Sequence, residues 1–299
     1  MWKSRSLPLA AGFSEAVVPY RHIERCADPA FDFDQITALI RQHLQVNWRF
    51  SLSFRLPSDS PRILALTNPV GGSFMNQTLW SSLLPLPIGT HADHHAHLSL
   101  HVHDDEGRGE LEHFIHQCFA NVHHADVHHY LPELLALRDS HGRLIAAVGM
   151  RTASSGPLFL ERYLDEPLES AISRVAGVTL ARECMVEVGN LASLSAGSAR
   201  VMITAVTWLL ATRELRWVAF TGASTLINSF QRLGLVPTVV ARADPSRLDE
   251  PAEHWGGYYD QHPQVFVGDI RQGFERLESA GVFRRLGLPA LNEEAGHAA

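Results

Sequence analysis

Apolar and polar positions change their period several times along the chain, and each change marks an element. Val46, Trp48, Phe50, Leu52, Phe54 and Leu56 alternate with polar partners, a period of two that predicts a half-buried strand stopped by Pro57. A short helix is expected before it at 34–44, and another strand after it at 62–67. Residues 68–90 are rich in Gly, Pro and Ser and predict a long loop with a helical turn at 77–84. From Leu98 the pattern is regular. Leu98, Leu100 and Val102 alternate with Ser99, His101 and His103, and then Leu111, Phe114, Ile115, Cys118 and Phe119 recur at helical spacing. Segments 133–138 and 144–151 predict a hairpin around Asp139-Ser140-His141-Gly142, and 166–175 predicts a helix. A strand ends in Glu187-Val188-Gly189-Asn190-Leu191. The small residues of 192–199 predict a loop, and a helix starts at Arg200 with 201–210 apolar nearly all round. Trp217-Val218-Ala219-Phe220-Thr221 is the next strand, followed by a helix ending Phe230-Gln231-Arg232-Leu233-Gly234-Leu235. Strands at 238–243 and 265–270 and a helix at 272–280 close the pattern. Residues 1–33 read as an irregular arm and the tail from 292 as frayed; no stretch repeats.

Composition narrows the class. The chain has 299 residues, enough for a sizeable core, and a formal net charge of -7 with no Lys/Arg-rich block, which disfavours nucleic acid as a partner. No run approaches the roughly 18 apolar residues of a membrane helix. The opening residues hold basic side chains without the apolar core of a secretory leader. Three widely spaced cysteines, Cys26, Cys118 and Cys184, suit reduced thiols, so the expected location is the cytoplasm.

The order of elements from 98 is strand, helix, hairpin, helix, strand, helix, strand, helix, strand, strand. It predicts an α/β fold, a mixed central sheet with helices on both faces. The expected organisation is an N-terminal α+β extension over 1–95 packed on the rest, a main domain over 96–285, and a tail over 286–299. This order resembles the GNAT type of acyl-CoA N-acyltransferase, whose cofactor pyrophosphate sits after the fourth strand. The phosphate loop of that type stands here only in a degenerate form, Ser195-Ala196-Gly197-Ser198-Ala199-Arg200.

More specific clusters are Leu158-Phe159-Leu160-Glu161-Arg162-Tyr163-Leu164-Asp165 with Pro167-Leu168-Glu169, then Val186-Glu187-Val188-Gly189-Asn190-Leu191-Ala192. Phe220-Thr221, Arg232-Leu233-Gly234-Leu235 and Trp255-Gly256-Gly257-Tyr258-Tyr259 follow in order. Over about 98–270 the chain resembles the thermostable hemolysin family. That resemblance implies a GNAT-like fold related to acyl-homoserine lactone synthases; the family name implies red-cell lysis.

Several residues are candidates for chemistry. Glu187, at the end of a central strand, either takes a proton from an attacking amine or is a surface or ion-paired carboxylate. Asn190 either orients a ligand or caps the loop. Ser193, Ser195, Gly197, Ser198, Ala199 and Arg200, with Val188 and Asn190, make the expected cofactor cradle; the alternative is an N-capped helix entry. Phe159, Glu161, Arg162 and Tyr163, with Thr221, form the expected acceptor wall, or Glu161 and Arg162 are a structural ion pair. Tyr258 and Tyr259 either protonate a leaving thiolate or pack as aromatics. Cys184 is expected to be a buried strand residue and no nucleophile. Twelve of the histidines crowd 91–129, and His97, His101 and His103 share a strand face. They read as a solvated face rather than as metal ligands, a pH sensor or a His catalyst, and no metal is expected.

These readings converge on an acyltransferase that takes an acyl thioester, on CoA or an acyl carrier protein, to a small amine. Its partners are that acceptor and the carrier, and a homo-oligomer is compatible with the sequence. A secreted membrane-active hemolysin and a catalytically inactive GNAT-like binding module are the alternatives.

Overall fold

Alternation and helical spacing succeed one another from Leu86 onward, and the chain folds in that order. A short strand β1 (Leu86–Ile88) precedes β2 (Ala96–His101), helix α1 (Arg108–His123) and the hairpin of β3 (Glu133–Arg138) and β4 (Leu144–Thr152). A 3₁₀ turn at Leu160–Tyr163 and helix α2 (Leu168–Ala176) lead to β5 (Met185–Ser193), helix α3 (Ala196–Ala211) and β6 (Trp217–Gly222). Helix α4 (Ser224–Arg232), strands β7 (Thr238–Arg242) and β8 (Gln264–Asp269), and helices α5 (Ile270–Ser279) and α6 (Val282–Arg285) complete the order. The computed structural model describes residues 83–90, 95–213, 215–249 and 252–290, which fall in one unit spanning 60–293. The expected elements at 34–44, 46–56 and 62–67, most of that at 77–84, and the tail from 292 lie outside the described residues.

The strands form one eight-stranded sheet in the order β1-β2-β3-β4-β5-β6-β8-β7. Every neighbouring pair is antiparallel except β5 and β6, which run parallel with helix α3 as their crossover. This is the mixed central sheet with helices on both faces that the order of elements predicts. Period-two alternation sorts the side chains to two faces. Leu135, Leu137, Val148 and Met150 pack on one face with Met202 and Leu209 of α3 and Phe274 of α5. Leu134, Ala136 and Ala147 face Leu111 and Ile115 of α1 on the other. Further along that second face, Met185, Ala219 and Val267 meet Leu168 and Ile172 of α2. The near-continuous apolar surface of α3 follows from its place: Met202, Ala205 and Leu209 are fully enclosed.

Two irregularities shape the middle of the sheet. The parallel pairing of β5 with β6 lasts four rungs, from Met185↔Trp217 to Val188↔Phe220. Beyond Val188, β5 stays with β4 as far as Ala146↔Ser193, while β6 stays with β8 as far as Gly222↔Gln264. The sheet therefore forks. On the β4 side of the fork, the pairing steps from Gly149↔Gly189 to Ala147↔Ala192. Two residues of β5, Asn190 and Leu191, thus stand against the single Val148, a β-bulge, with Asn190 in the left-handed region at φ 52°.

The structure revises several boundaries. Residues 86–88, expected in a long loop, form an edge strand paired with β2. Strand β5 continues to Ser193 because its outer half still has β4 as a partner, so the expected eight-residue loop shrinks to Leu194 and Ser195. Helix α3 starts at Ala196 rather than Arg200, because Ser195 caps it. Cys184, expected inside a strand, sits in the 3₁₀ turn before β5, half-buried, with its thiol donating to the Ala181 carbonyl.

Candidate functional site

The fork holds a cavity of about 240 Å³. Its wall draws on both faces of the sheet: Val188, Met202 and Val206 on the α3 side, and Glu187, Leu131 and Phe159 on the other. Apolar residues dominate, and a few polar groups converge on it, the usual make-up of a small-molecule site.

Glu187 is the most unusual of those groups. It lies in the third position of β5, beside the last parallel rung, and only 4 % of it is exposed. The backbone N–H of Phe159 donates to one carboxylate oxygen at 2.8 Å and that of Leu160 to the other at 2.9 Å. Burial disfavours the charged form more than these two donors favour it, so the carboxyl is pushed up to about 7. Glu187 is therefore neither a surface nor an ion-paired strand end. It pins the 159–160 backbone over the fork and titrates near neutrality.

Glu161 has a different fate. It accepts from the backbone N–H of Leu158 at 2.9 Å and of Leu168 at 3.0 Å, and it pairs with the Arg182 guanidinium at 2.7 Å. Although its partial burial acts upward, Arg182 and the backbone donors together hold its carboxyl down at about 2. Arg182 also reaches Glu169 and the carbonyls of Ala153 and Gly156. The structural ion pair is thus Glu161–Arg182 rather than Glu161–Arg162; spacing pointed to the adjacent arginine, but the 3₁₀ turn sends it elsewhere. The Arg162 guanidinium sits over the Phe159 ring, 4.9 Å from its centroid.

The aromatic residues separate in the same way. Tyr163 and Tyr259 share a 2.6 Å hydrogen bond between their hydroxyls, and Tyr163 lines the cavity. Tyr258 lines it too, and burial holds its phenol above the ordinary value. Trp255 stands beside both Tyr258 and Tyr259 with its indole N–H buried and without a partner. Thr221 lies on the β6 arm of the fork and lines the cavity.

Asn190 works as an anchor. Its amide oxygen accepts from the Leu131 N–H and its NH₂ donates to the His129 carbonyl, each at 2.9 Å. The bulge thereby fixes the loop between α1 and β3, which forms one side of the cavity. Gly149 faces this arrangement; a Cβ there would come within 2.8 Å of Leu131 Cβ and 2.9 Å of the Asn190 amide oxygen.

The expected cradle lies apart from the cavity. The cavity touches β5 as far as Leu191 and α3 from Met202 onward, so Ser193, Ser195, Gly197, Ser198, Ala199 and Arg200 fall outside its wall, while Val188 and Asn190 fall inside. Ser195 and Ser198 form a reciprocal capping box, with the Ser198 N–H donating to Ser195 Oγ at 3.1 Å. Ala196 and Gly197 make an exposed first turn.

The sequence places the histidines of 91–129 on a solvated face; among the described residues, two of them also line the cavity. His123 lines the cavity half-buried, edge-on to Tyr258 at 5.2 Å, and desolvation lowers its pKa. His129 also lines it, stacked on Phe159 at 5.0 Å. The amphipathic signal of α1 stops at its last turn, and the loop beyond has no period. Arg182 and these two histidines carry no local signal of their place, whereas Trp255 stands in a cluster that the sequence singles out without giving it a role.

A family model described as thermostable hemolysin matches residues 101–274. No curated protein matches the chain in sequence. Several solved structures are similar to it. TofI in an apo form is 16 % identical, with 60 % of this chain and 95 % of that chain covered and a TM-score of 0.43. FeeM, an N-acyl amino acid synthase from uncultured soil microbes, is 11 % identical, with 62 % and 97 % covered and a TM-score of 0.42. A GCN5-related N-acetyltransferase from Kribbella flavida is 11 % identical, with 57 % and 97 % covered and a TM-score of 0.35.

Proposed function

The chain belongs to the thermostable hemolysin family, and from that premise and the forked sheet we propose an acyltransferase that moves an acyl group from a thioester to a small amine. The observation that carries this reading is Glu187, a buried carboxyl that titrates near neutrality in the wall of an apolar cavity. Catalytic bases are commonly tuned in this way.

The donor is acyl-CoA or an acyl carrier protein thioester. Its acyl chain occupies the apolar part of the fork, against Leu131, Met202 and Val206, and its thioester carbonyl lies at the backbone where β5 leaves β6, beside Val188. The amine lone pair attacks the carbonyl carbon. Glu187 takes the amine proton, directly or through one water, on a lone pair that the Phe159 and Leu160 N–H groups leave available. Collapse forms the amide bond and breaks the C–S bond. Tyr258, whose phenol stays protonated at neutral pH, supplies the proton to the departing thiolate. Tyr259, bonded to Tyr163, positions the aromatic wall instead. Phe159, Tyr163 and Thr221 shape the acceptor side; Glu161 holds the 158–168 backbone that carries it, and Arg162 covers the Phe159 ring. The donor phosphates meet the exposed first turn of α3 at Ala196 and Gly197, next to Ser193, with Arg200 one turn on. The capping box at Ser195 and Ser198 shapes that turn rather than binding phosphate.

One feature favours a second reading. Both Glu187 oxygens already serve backbone donors, which suits a module that binds a thioester without turning it over. A single experiment separates the two. The purified chain and Glu187→Gln are incubated with CoA and carrier-protein thioesters and an amine panel, and thiol release and ligand affinity are measured together. The acyltransferase reading expects thiol release that falls about 10²–10⁴-fold in the variant with affinity retained. Equal turnover in both proteins overturns the role of Glu187, and tight binding without thiol release establishes the module.

A further inference from the structure

The histidine-rich stretch holds a second constellation away from the fork. Helix α1 ends at His123, and His124 turns the chain through the left-handed region at φ 55°. The next residues alternate: Ala125 and Val127 are buried, while Asp126 and His128 project outward on the same side. They meet His116, one to two turns back from the helix end. Nε2 of His116 lies 2.8 Å from Oδ1 of Asp126, and Nε2 of His128 lies 2.9 Å from the same oxygen. The three ligand atoms are all within 4.8 Å of one another, and the two imidazole rings are 5.2 Å apart.

We propose that His116, Asp126 and His128 form a binding site for a divalent transition cation of the zinc type. The inference stands apart from the acyl-transfer reading and needs no step of it. Two imidazole nitrogens and one carboxylate oxygen are the donor set that such cations take, leaving a fourth tetrahedral position for water or an outside ligand. Magnesium and calcium prefer an all-oxygen set and are excluded by the two nitrogens. Ligands about 2.0–2.1 Å from a zinc ion stand roughly 3.3 Å from one another, so side-chain rotations that lengthen the two imidazole–carboxylate contacts by about 0.5 Å and bring the two nitrogens to the same spacing convert the present hydrogen-bonded triad into a coordinated one.

The backbone beneath the site is anchored. The Asp126 N–H donates to the His254 carbonyl at 2.6 Å, the Val127 carbonyl accepts from the Tyr130 hydroxyl at 2.8 Å, and Asn190 holds His129 and Leu131 just beyond. The side chains are open to solvent, 30 % exposed for His116, 63 % for Asp126 and 71 % for His128, so an ion enters without unfolding anything. A cation there ties the 124–132 loop to α1. Since that loop supplies His129 and Leu131 to the cavity wall, the site clamps one wall of the fork.

The test is calorimetric titration of Zn²⁺ into the full chain, with Mg²⁺ as competitor. Eighteen histidines guarantee some weak surface binding, so variants decide the matter. The expected result is one equivalent bound, at least tenfold weaker in His116→Ala and in His128→Ala, and unchanged in His103→Ala, whose exposed ring pairs with Asp104. Saturating Mg²⁺ leaves it intact. Circular dichroism checks that the variants keep their fold, and proteolysis across 124–132 should slow when Zn²⁺ is bound. The absence of a one-to-one isotherm, or an isotherm that survives in the His116→Ala/His128→Ala double variant, overturns the proposal.

Discussion

A buried carboxyl that accepts two backbone N–H groups normally has its acid strength set by those donors, but at Glu187 the loss of water outweighs them. The sign of the consequence is fixed. The unfolded chain binds this proton with a pKa near 4.5, the folded chain with one of about 7. Between those values the folded state holds more protons, so this group removes stability as pH rises from about 4.5 through about 7, by up to about 3 kcal/mol. Glu161 works the other way. Its carboxyl is held at about 2, so its contribution is complete above about 4.5 and is lost only as pH falls towards 2. The two windows do not overlap. Urea unfolding at pH 5 and pH 8 leaves Glu161 out, and subtraction of the Glu187→Gln profile removes other groups such as His123, whose lowered pKa acts in the same interval: the wild-type chain should lose more stability over that interval than Glu187→Gln, and parallel profiles would refute the assignment. The sequence put a candidate base at Glu187 but offered no means of seeing its burial, because the residues that enclose it, Phe159 and Leu160, lie 28 and 27 positions away.

Among the elements, those with a clean period were legible and the joints between them were not. The hairpin of β3 and β4 and helix α2 fall close to where alternation and helical spacing put them, since local pattern and tertiary burial agree there. Strand β5 ran past its expected end because β4 continued to pair with it, a fact that belongs to another strand. The bulge at Asn190 is the clearest case. Its left-handed backbone and its two hydrogen bonds to the loop after α1 depend on residues 59 and 61 positions away. An unpatterned run of His, Asp and Tyr does not announce that it is tied down. Gly149 completes the joint, and Gly149→Ala should act there rather than on β4 alone. The added methyl meets Leu131 Cβ at 2.8 Å, backed by the Asn190 amide, and overpacking of this kind costs about 1–3 kcal/mol. The expected signature is a lower urea midpoint together with faster proteolysis in 124–132. A midpoint at the wild-type value would show that the loop yields freely.

For the whole molecule, the order of strands and helices made the mixed sheet readable, while the fork within it was invisible: where two parallel strands stop pairing is decided by β4 and β8 pulling them apart. That fork has a mechanical consequence. Strands β1 to β5 and strands β6 to β8 are joined edge to edge by four parallel rungs alone. The sheet is thus two plates on a short hinge, with α3 strapped across one side and α2 packed over the other. Amides at 185–188 and 217–220 that donate across the β5–β6 seam, rather than to β4 or β8, should exchange with deuterium faster than those in the middle of the β3–β4 pairing, because parting the plates breaks few bonds. A molecule seated in the fork touches both plates and acts as an extra rung. Saturating occupancy of the cavity should slow exchange at the hinge and leave the β3–β4 amides untouched, which gives a readout of occupancy before any product is known.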